Sequence, residues 1–266
     1  MLLLSWLSKT LVHGRPWLLI AASLLAFKSE AAAGARCAPK ANLQIVIDAG
    51  HTATDTGTES ARGVGEYVFN LKLAQRIKDE LVKAGFSSAF LMVTAENGIR
   101  GLAKRVRRAN AMEADIFLSI HHDTVADAYL ERWTYEGKEY SYSDRSRGFS
   151  LHVSQRNGRY GESLRLAEAL ADSLIAKGLQ PTTNPQLCMP KGAKALEPER
   201  GIYLRELLAV LNFTRMPAIL VEAGVIVNRD EELAAASEAR QELVAAAVVD
   251  SLAKFCGYRE TVAGKQ

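Results

Sequence analysis

The sequence predicts an α/β fold: a single domain built on a mostly parallel, twisted sheet with helices on both faces. Three observations carry this. Short β-branched apolar runs alternate along the chain with longer segments of helical period, the pattern of strand–helix–strand units. The runs are apolar throughout rather than at every second residue, as strands covered on both faces require. Three of them also end on a group able to bind metal or move a proton. Ile45-Val46-Ile47-Asp48-Ala49-Gly50 runs into His51, Ile116-Phe117-Leu118-Ser119-Ile120 into His121, and Ala218-Ile219-Leu220-Val221 into Glu222. In open α/β sheets the carboxyl edge of the strands is where ligands and chemistry sit.

The 266 residues are enough for one large domain with a sizeable core. With 48% apolar and 24% charged residues the composition is that of an ordinary globular protein, which excludes a mainly disordered chain. The first 35 residues read differently. Lys9, His13 and Arg15 precede the apolar run Trp17 to Phe27, and Ala31-Ala32-Ala33-Gly34-Ala35 follows. A basic start, an apolar stretch and an Ala-x-Ala-type cleavage site describe a secretory signal. The apolar run is too short to span a bilayer comfortably, so no stable membrane span is expected once the signal is removed. A retained N-terminal anchor is the alternative. Cys37 invites a lipoprotein reading, but Arg36 directly before it is the wrong residue. Residues 1–35 carry Lys9, Arg15, Lys28 and Glu30, so their removal takes the formal charge from +3 to +1. The apparent basicity belongs largely to the signal and implies no nucleic-acid partner.

Three cysteines, Cys37, Cys188 and Cys256, lack CxxC spacing, so a cysteine zinc site is unsupported. Export permits disulfides. Cys37 and Cys256 lie near the two ends of the exported chain, and chain ends are often close in space, which makes them the expected pair. The odd cysteine, Cys188, reads as a buried thiol rather than a nucleophile.

The elements follow in order. Residues 36–43 read as a linker into a domain spanning 44–257. Gln44 to Asp48 is the first strand, and a Thr/Gly/Ser/Asp-rich loop runs from His51 to Gly65. Glu66 to Ala84 is a helix, with Val68, Leu71, Ala74, Ile77, Leu81 and Ala84 on one face and Gly85 as its stop. Ala89 to Thr94 is the second strand. Ile99 to Met112 is a helix whose polar face holds Arg100, Lys104, Arg105, Arg107 and Arg108, read mainly as a solvated face. Asp115 to Ile120 is the third strand. From 124 to 147 the periodicity fails, and Tyr129, Trp133, Tyr135, Tyr140 and Tyr142 intersperse polar residues. This insertion either stacks on sugar or peptide or forms a small satellite core. Phe149 to Val153 reads as a strand and Glu162 to Ala176 as a helix ending at Gly178. Gln180 to Pro198 contains four prolines and reads as a loop or lid. Ile202 to Leu211 reads as helical, Ala218 to Val221 as the last clear strand, and Glu231 to Phe255 as a long helix broken once. Residues 258–266 form a frayed tail.

A zinc hydrolase needs about three His, Asp or Glu ligands with one position left for water, and a carboxylate that is not a ligand to take a proton. His51 and His121 are the imidazole candidates. The third ligand is a carboxylate near His51: Asp48, Asp55, Glu59 or Glu66. Glu66 begins a helix after a Gly-rich loop, which fixes its backbone, and a helix N-terminus stabilises a carboxylate. Asp48 is alternatively a group that holds a ligand imidazole. Glu222 remains for the acid/base role.

The chain resembles the zinc-dependent N-acetylmuramoyl-L-alanine amidases of the amidase-3 type. Ile45-Val46-Ile47-Asp48-Ala49-Gly50-His51 is similar to their opening motif, and Gly65-Glu66 with Asn70-Leu71 and Ala74 to their second. Leu102, Arg105-Val106 and Ala109-Asn110 resemble the helix before their third strand, and Ala114 to His121 resembles that strand. Val210-Leu211, then Pro217 to Gly224 with Asn228, resemble the catalytic glutamate region. The resemblance runs from Gln44 to about Leu252. It implies His51, Glu66 and His121 as zinc ligands, Glu222 as the catalytic glutamate, and His121 rather than His122. It implies hydrolysis of the amide between the lactyl group of N-acetylmuramic acid and L-alanine of the peptidoglycan stem peptide. Arg105 is a candidate for positioning the peptide's carboxylates, with a structural salt bridge as the alternative. An inserted helix covers the zinc in some members, which makes part of 180–206 a candidate lid, with Glu197, Glu199 or Glu206 approaching the metal. An activator protein is a further expected partner, and the signal places the enzyme in the periplasm, with secretion as second choice. Thr52-Ala53-Thr54, Ala95, Ala49 and Asp123 depart from the family pattern without touching the ligand set. Two other functions compete: a zinc exopeptidase acting on stem peptides, and a wall-binding protein without activity.

Overall fold

The sheet is assembled from the runs that carry β-branched and apolar side chains. The structure, a computed structural model, describes residues 37–190 and 192–258; the signal expected at 1–35 lies outside them, as does the tail beyond Tyr258. In chain order the elements are β1 (Ile45–Ala49), α1 (Glu66–Lys83), β2 (Ala89–Met92), α2 (Gly98–Ala111), β3 (Ile116–Asp123), β4 (Glu131–Tyr135), β5 (Lys138–Tyr142), β6 (Ser150–Val153), α3 (Tyr160–Ala176), α4 (Pro185–Cys188), β7 (Lys194–Glu197), β8 (Ile202–Leu204), α5 (Ala209–Asn212), β9 (Ala218–Val225), α6 (Arg229–Ala236) and α7 (Glu238–Cys256).

Seven strands form one sheet in the order β2-β1-β3-β9-β6-β8-β7. The block β2-β1-β3-β9 is wholly parallel, and β6 pairs parallel with β8. The antiparallel joints are β6 with β9 and β7 with β8. Successive residues of β1 serve opposite faces. Ile45, Ile47 and Ala49 pack with α1, α3 and α7 through Leu73, Ile77, Leu170 and Val248. Val46 packs with α2 and α5 through Val106, Ala109, Val210 and Leu211. All five β1 residues are buried, so truncating Ile47 to Ala costs about 2–5 kcal/mol. The double coverage expected from the unbroken apolar runs is what the sheet shows. Among the described residues no helix is long and apolar enough to cross a membrane.

Several expected boundaries move. Residues 37–43 are not a free linker. A short 3-10 helix spans Lys40–Asn42, Ser87 and Ser88 donate hydroxyl hydrogen bonds to the Ala41 carbonyl, and Cys37 is joined to Cys256 by a disulfide. The expected helix over 202–211 is instead strand β8 followed by one turn of helix, α5. Ile202, Tyr203 and Leu204 are all buried, and three consecutive apolar residues fit a central strand as well as a helix. The proline-rich 180–198 contains the edge strand β7, paired with β8. The long C-terminal helix is broken once, at Ser237, whose hydroxyl caps α7 by accepting from the Arg240 amide.

The 124–147 insertion is a β4–β5 hairpin. Its two-residue turn, Glu136-Gly137, has both residues at positive φ (48° and 78°), the backbone that matches strand twist. Its aromatic side chains serve a satellite cluster. Trp133 stacks on Tyr135 with centroids 5.4 Å apart, and the Arg229 guanidinium sits 4.0 Å from the Tyr142 ring. Trp133 Nε1 donates to the Ala61 carbonyl at 2.8 Å, bracing the loop after β1.

Candidate active site

Three parallel strands and one helix N-terminus converge on one point. The chain leaves β1 at Gly50, whose amide still pairs with the Ile120 carbonyl at 2.9 Å. His51 then turns away with φ +63°, a left-handed conformation that costs an L-residue roughly 1–2 kcal/mol. Gly50 is required by its neighbour: a Cβ there would lie 2.3 Å from the His121 ring. Gly57 has φ +74°, and a Cβ on it would lie 2.4 Å from Glu66 Oε2.

Glu66 is the first residue of α1, where the helix dipole favours a carboxylate. Its two oxygens reach both imidazoles: His51 Nε2 lies 3.0 Å from Oε2 and His121 Nδ1 lies 2.9 Å from Oε1. Asn70, one turn along α1, donates to Glu66 Oε1 at 2.9 Å and to the Gly50 carbonyl at 3.3 Å. Burial works against the Glu66 charge, but hydrogen bonds from His121 and His51 hold its carboxyl well below the ordinary range. Burial also opposes charge on His51, whose pKa is nevertheless raised by the Glu66 hydrogen bond and charge.

The neighbouring His122 points to the opposite face. Its Nδ1 is 2.8 Å from Asn70 Oδ1, its ring lies against Phe69, and burial lowers its pKa to about 4. Of the carboxylates considered for a third ligand, only Glu66 joins His51 and His121. Asp48 is buried against Arg105 and accepts from Ser119 Oγ at 3.1 Å. Asp55 and Glu59 are exposed. One donor atom from each of His51, Glu66 and His121 lies within 4.8 Å of the others. Two imidazole nitrogens and a carboxylate oxygen at that spacing can converge on one ion with bonds of about 2.0–2.2 Å. The donor set and the two glycines beside it fit a divalent metal.

Glu222 faces this cluster from β9, where it pairs in register with His121. The residue is half-buried, yet its Oε2 is buried and has no hydrogen-bond partner. Burial, then the nearby Asp123 and Glu66 charges, push its pKa well above the ordinary carboxylate range, with Arg205 opposing. Asp123 is itself pushed up to about 7, by burial first. A cavity of about 370 Å³ connects these groups; His51, His121, Arg205, Leu208 and Glu222 are in its lining.

Arg105 braces the end of β1. It is 4% exposed. Its guanidinium binds Asp48, the Ala49 carbonyl at 2.6 Å and the His51 carbonyl, so it clamps the turn that presents His51. These contacts are those of the salt-bridge alternative, and Arg105 also lines the cavity. The acidic residues of the candidate lid, 180–206, lie outside the His51–Glu66–His121 cluster. Glu197 pairs with Arg200, Glu199 is exposed, and Glu206 accepts from Ser154 Oγ at 2.8 Å. Pairing of β7 with β8 places these strands at the sheet edge. Arg205, absent from the sequence-based candidates, lines the cavity. Its signal was a charged residue directly after an apolar run, hidden by reading 202–211 as a helix.

A family model described as N-acetylmuramoyl-L-alanine amidase (Amidase_3) matches residues 45–254. The chain is 24% identical over 223 residues to the amidase AmiA of Escherichia coli, covering 79% of this chain and 75% of that protein. It is 25% identical over 234 residues to the amidase AmiC of Neisseria meningitidis, covering 79% of this chain but 52% of that one. The crystal structure of the amidase Ami1 from Mycobacterium smegmatis superimposes with a TM-score of 0.62 at 21% identity, over 84% of this chain and all of that one.

Proposed function

Since the chain belongs to the N-acetylmuramoyl-L-alanine amidase family and is an amidase of peptidoglycan, we propose that His51, Glu66 and His121 hold a zinc ion for this reaction and that Glu222 is its acid/base. The observation that carries the assignment is the buried, unpartnered Glu222 Oε2 opposite the three convergent donors. A partnerless buried carboxylate oxygen is costly and is retained where a reaction uses it.

When bound, zinc polarises the scissile carbonyl and acidifies water. Glu222 takes the proton from the attacking water and returns it to the departing nitrogen of L-alanine. Its burial and its acidic neighbours make it a willing proton acceptor. Asn70 orients Glu66 through its hydrogen bond, and Arg105 fixes the turn bearing His51. The bond cut joins the lactyl carbonyl of N-acetylmuramic acid to L-alanine. Action in the periplasm is supported by the signal pattern at 1–35 and by the Cys37–Cys256 bridge, which an oxidising compartment sustains.

The test is digestion of purified murein by zinc-loaded protein of residues 36–266, with mass spectrometry of the products. Intact stem peptides with a free L-alanine amine are expected. Shortened peptides still attached to muramic acid would overturn the reading.

A further inference from the structure

Arg205 stands out among the charged groups around the cleft. It is the first residue after β8, and its amide donates to the Val153 carbonyl at 2.9 Å, so its backbone is held by the sheet. Its side chain is half-buried and lines the same cavity as Glu222 and His121. Glu222 and Asp123 act on it through space, without a hydrogen bond or close ion pair among the described residues. Arg105, across the cavity, shows what a satisfied arginine looks like here: a carboxylate and two carbonyls take its donors.

A guanidinium presents five N–H donors in a planar fork, and leaving them unmade while half-buried is unfavourable. The group that best completes such a fork is a carboxylate, bound by two parallel hydrogen bonds. The substrate narrows where this anion lies. In the bond to be cut, the lactyl carboxyl of muramic acid is already an amide and neutral. The fixed negative charge therefore belongs to the peptide beyond L-alanine. Arg205 lines the cavity beside Glu222 and has a side chain without a hydrogen-bond partner among the described residues, so it is placed to receive that charge.

We propose that Arg205 is a specificity-determining residue that binds a free carboxylate of the stem peptide beyond L-alanine while Glu222 serves the scissile amide. This rests on the amidase reading of the site. Arg205 thus acts by holding peptide, and the enzyme distinguishes stem peptides whose second residue carries a free carboxylate from those in which it is amidated.

The test uses N-acetylmuramoyl-L-alanyl-D-glutamate and its counterpart with D-isoglutamine, which differ by one carboxylate. Hydrolysis and calorimetric binding of both are measured on zinc-loaded wild-type, Arg205→Gln and Arg205→Lys proteins. The wild type is expected to favour the carboxylate substrate by about tenfold or more, mainly in KM. In Arg205→Gln the ratio falls to near one, and Arg205→Lys restores part of it, since a lysine is a point charge without the fork. A purely structural role would slow both substrates equally and leave the ratio intact; that result overturns the proposal, as does a wild type without preference. If neither substrate is hydrolysed yet wild type alone binds the carboxylate form more tightly, the amidase reading fails and the Arg205 subsite stands.

Discussion

The two walls of the cleft are built on opposite terms. On the β1–α1 wall each polar group has a partner. Glu66 is shared by His51, His121, Asn70 and the His122 amide, and Asp48 is locked to Arg105 and Ser119. On the β9–β8 wall Glu222 Oε2 is orphaned and, among the described residues, the Arg205 side chain makes only long-range electrostatic contact. The paired wall keeps a fixed geometry, as a metal site demands. On the proposed reading, the unpaired wall leaves its interactions for a substrate. Stability is traded for reactivity on one side only.

The largest expected effect breaks the unpaired wall. Glu222→Gln should lower kcat by about a thousandfold or more while metal binding is kept. The same change should raise the melting temperature of the metal-free protein at pH 7, read by calorimetry. The sign follows from its raised pKa: a carboxyl held protonated in the fold stabilises at low pH, and that contribution is lost as pH rises through the folded pKa. Glutamine removes the loss.

Breaking the paired wall should look different. Glu66→Gln removes the charge of the proposed ligand and, in the metal-free protein, the shared acceptor of two imidazoles. Metal affinity should fall by at least about a hundredfold, measured by competition with a chelator, and the metal-free protein should not gain stability. Gly50→Ala, by pushing on the His121 ring, should weaken metal binding and cost about 1–3 kcal/mol of stability in denaturant titrations.

Acid should reveal the buried histidines on each side. Burial lowers the pKa of His122 to about 4 and that of His152 well below its ordinary value. The unfolded chain therefore takes up protons that the fold refuses, and stability falls as pH drops from about 6.5 toward 4. For His122 the full loss is roughly 3 kcal/mol. Urea titrations of metal-free protein at pH 7 and pH 5 should show it, with a shallower pH slope in His152→Phe. The smallest effect concerns Cys188, near Glu222. Burial first, then the Asp123 charge, pushes its thiol up to about 12. Alkylation at pH 8 should be slow in the native protein and fast after denaturation.

The paired wall, and Glu222 facing it, were largely legible in the sequence. β1, β3 and β9 are unbroken apolar runs, and their terminal His51, His121 and Glu222 stand where an α/β sheet puts chemistry. Glu66 was legible as a carboxylate at a helix start after a flexible loop; the family resemblance chose it over Asp48, and the fold shows Asp48 taken by Arg105 57 residues away. The β8 side was not legible. Three apolar residues, Ile202 to Leu204, satisfy a helical or a strand period equally. The choice is made by tertiary pairing with β6 and β7, which local pattern does not encode. That misreading also concealed Arg205.

The most direct test of the two-wall account is zinc calorimetry on wild-type and Glu222→Gln proteins, with murein digestion by the same samples. The account predicts equal zinc stoichiometry and similar affinity in both, with release of stem peptides bearing a free L-alanine amine by wild type alone. Loss of zinc from Glu222→Gln, or undiminished release of stem peptides by it, would contradict the division between a metal-holding wall and a reacting one.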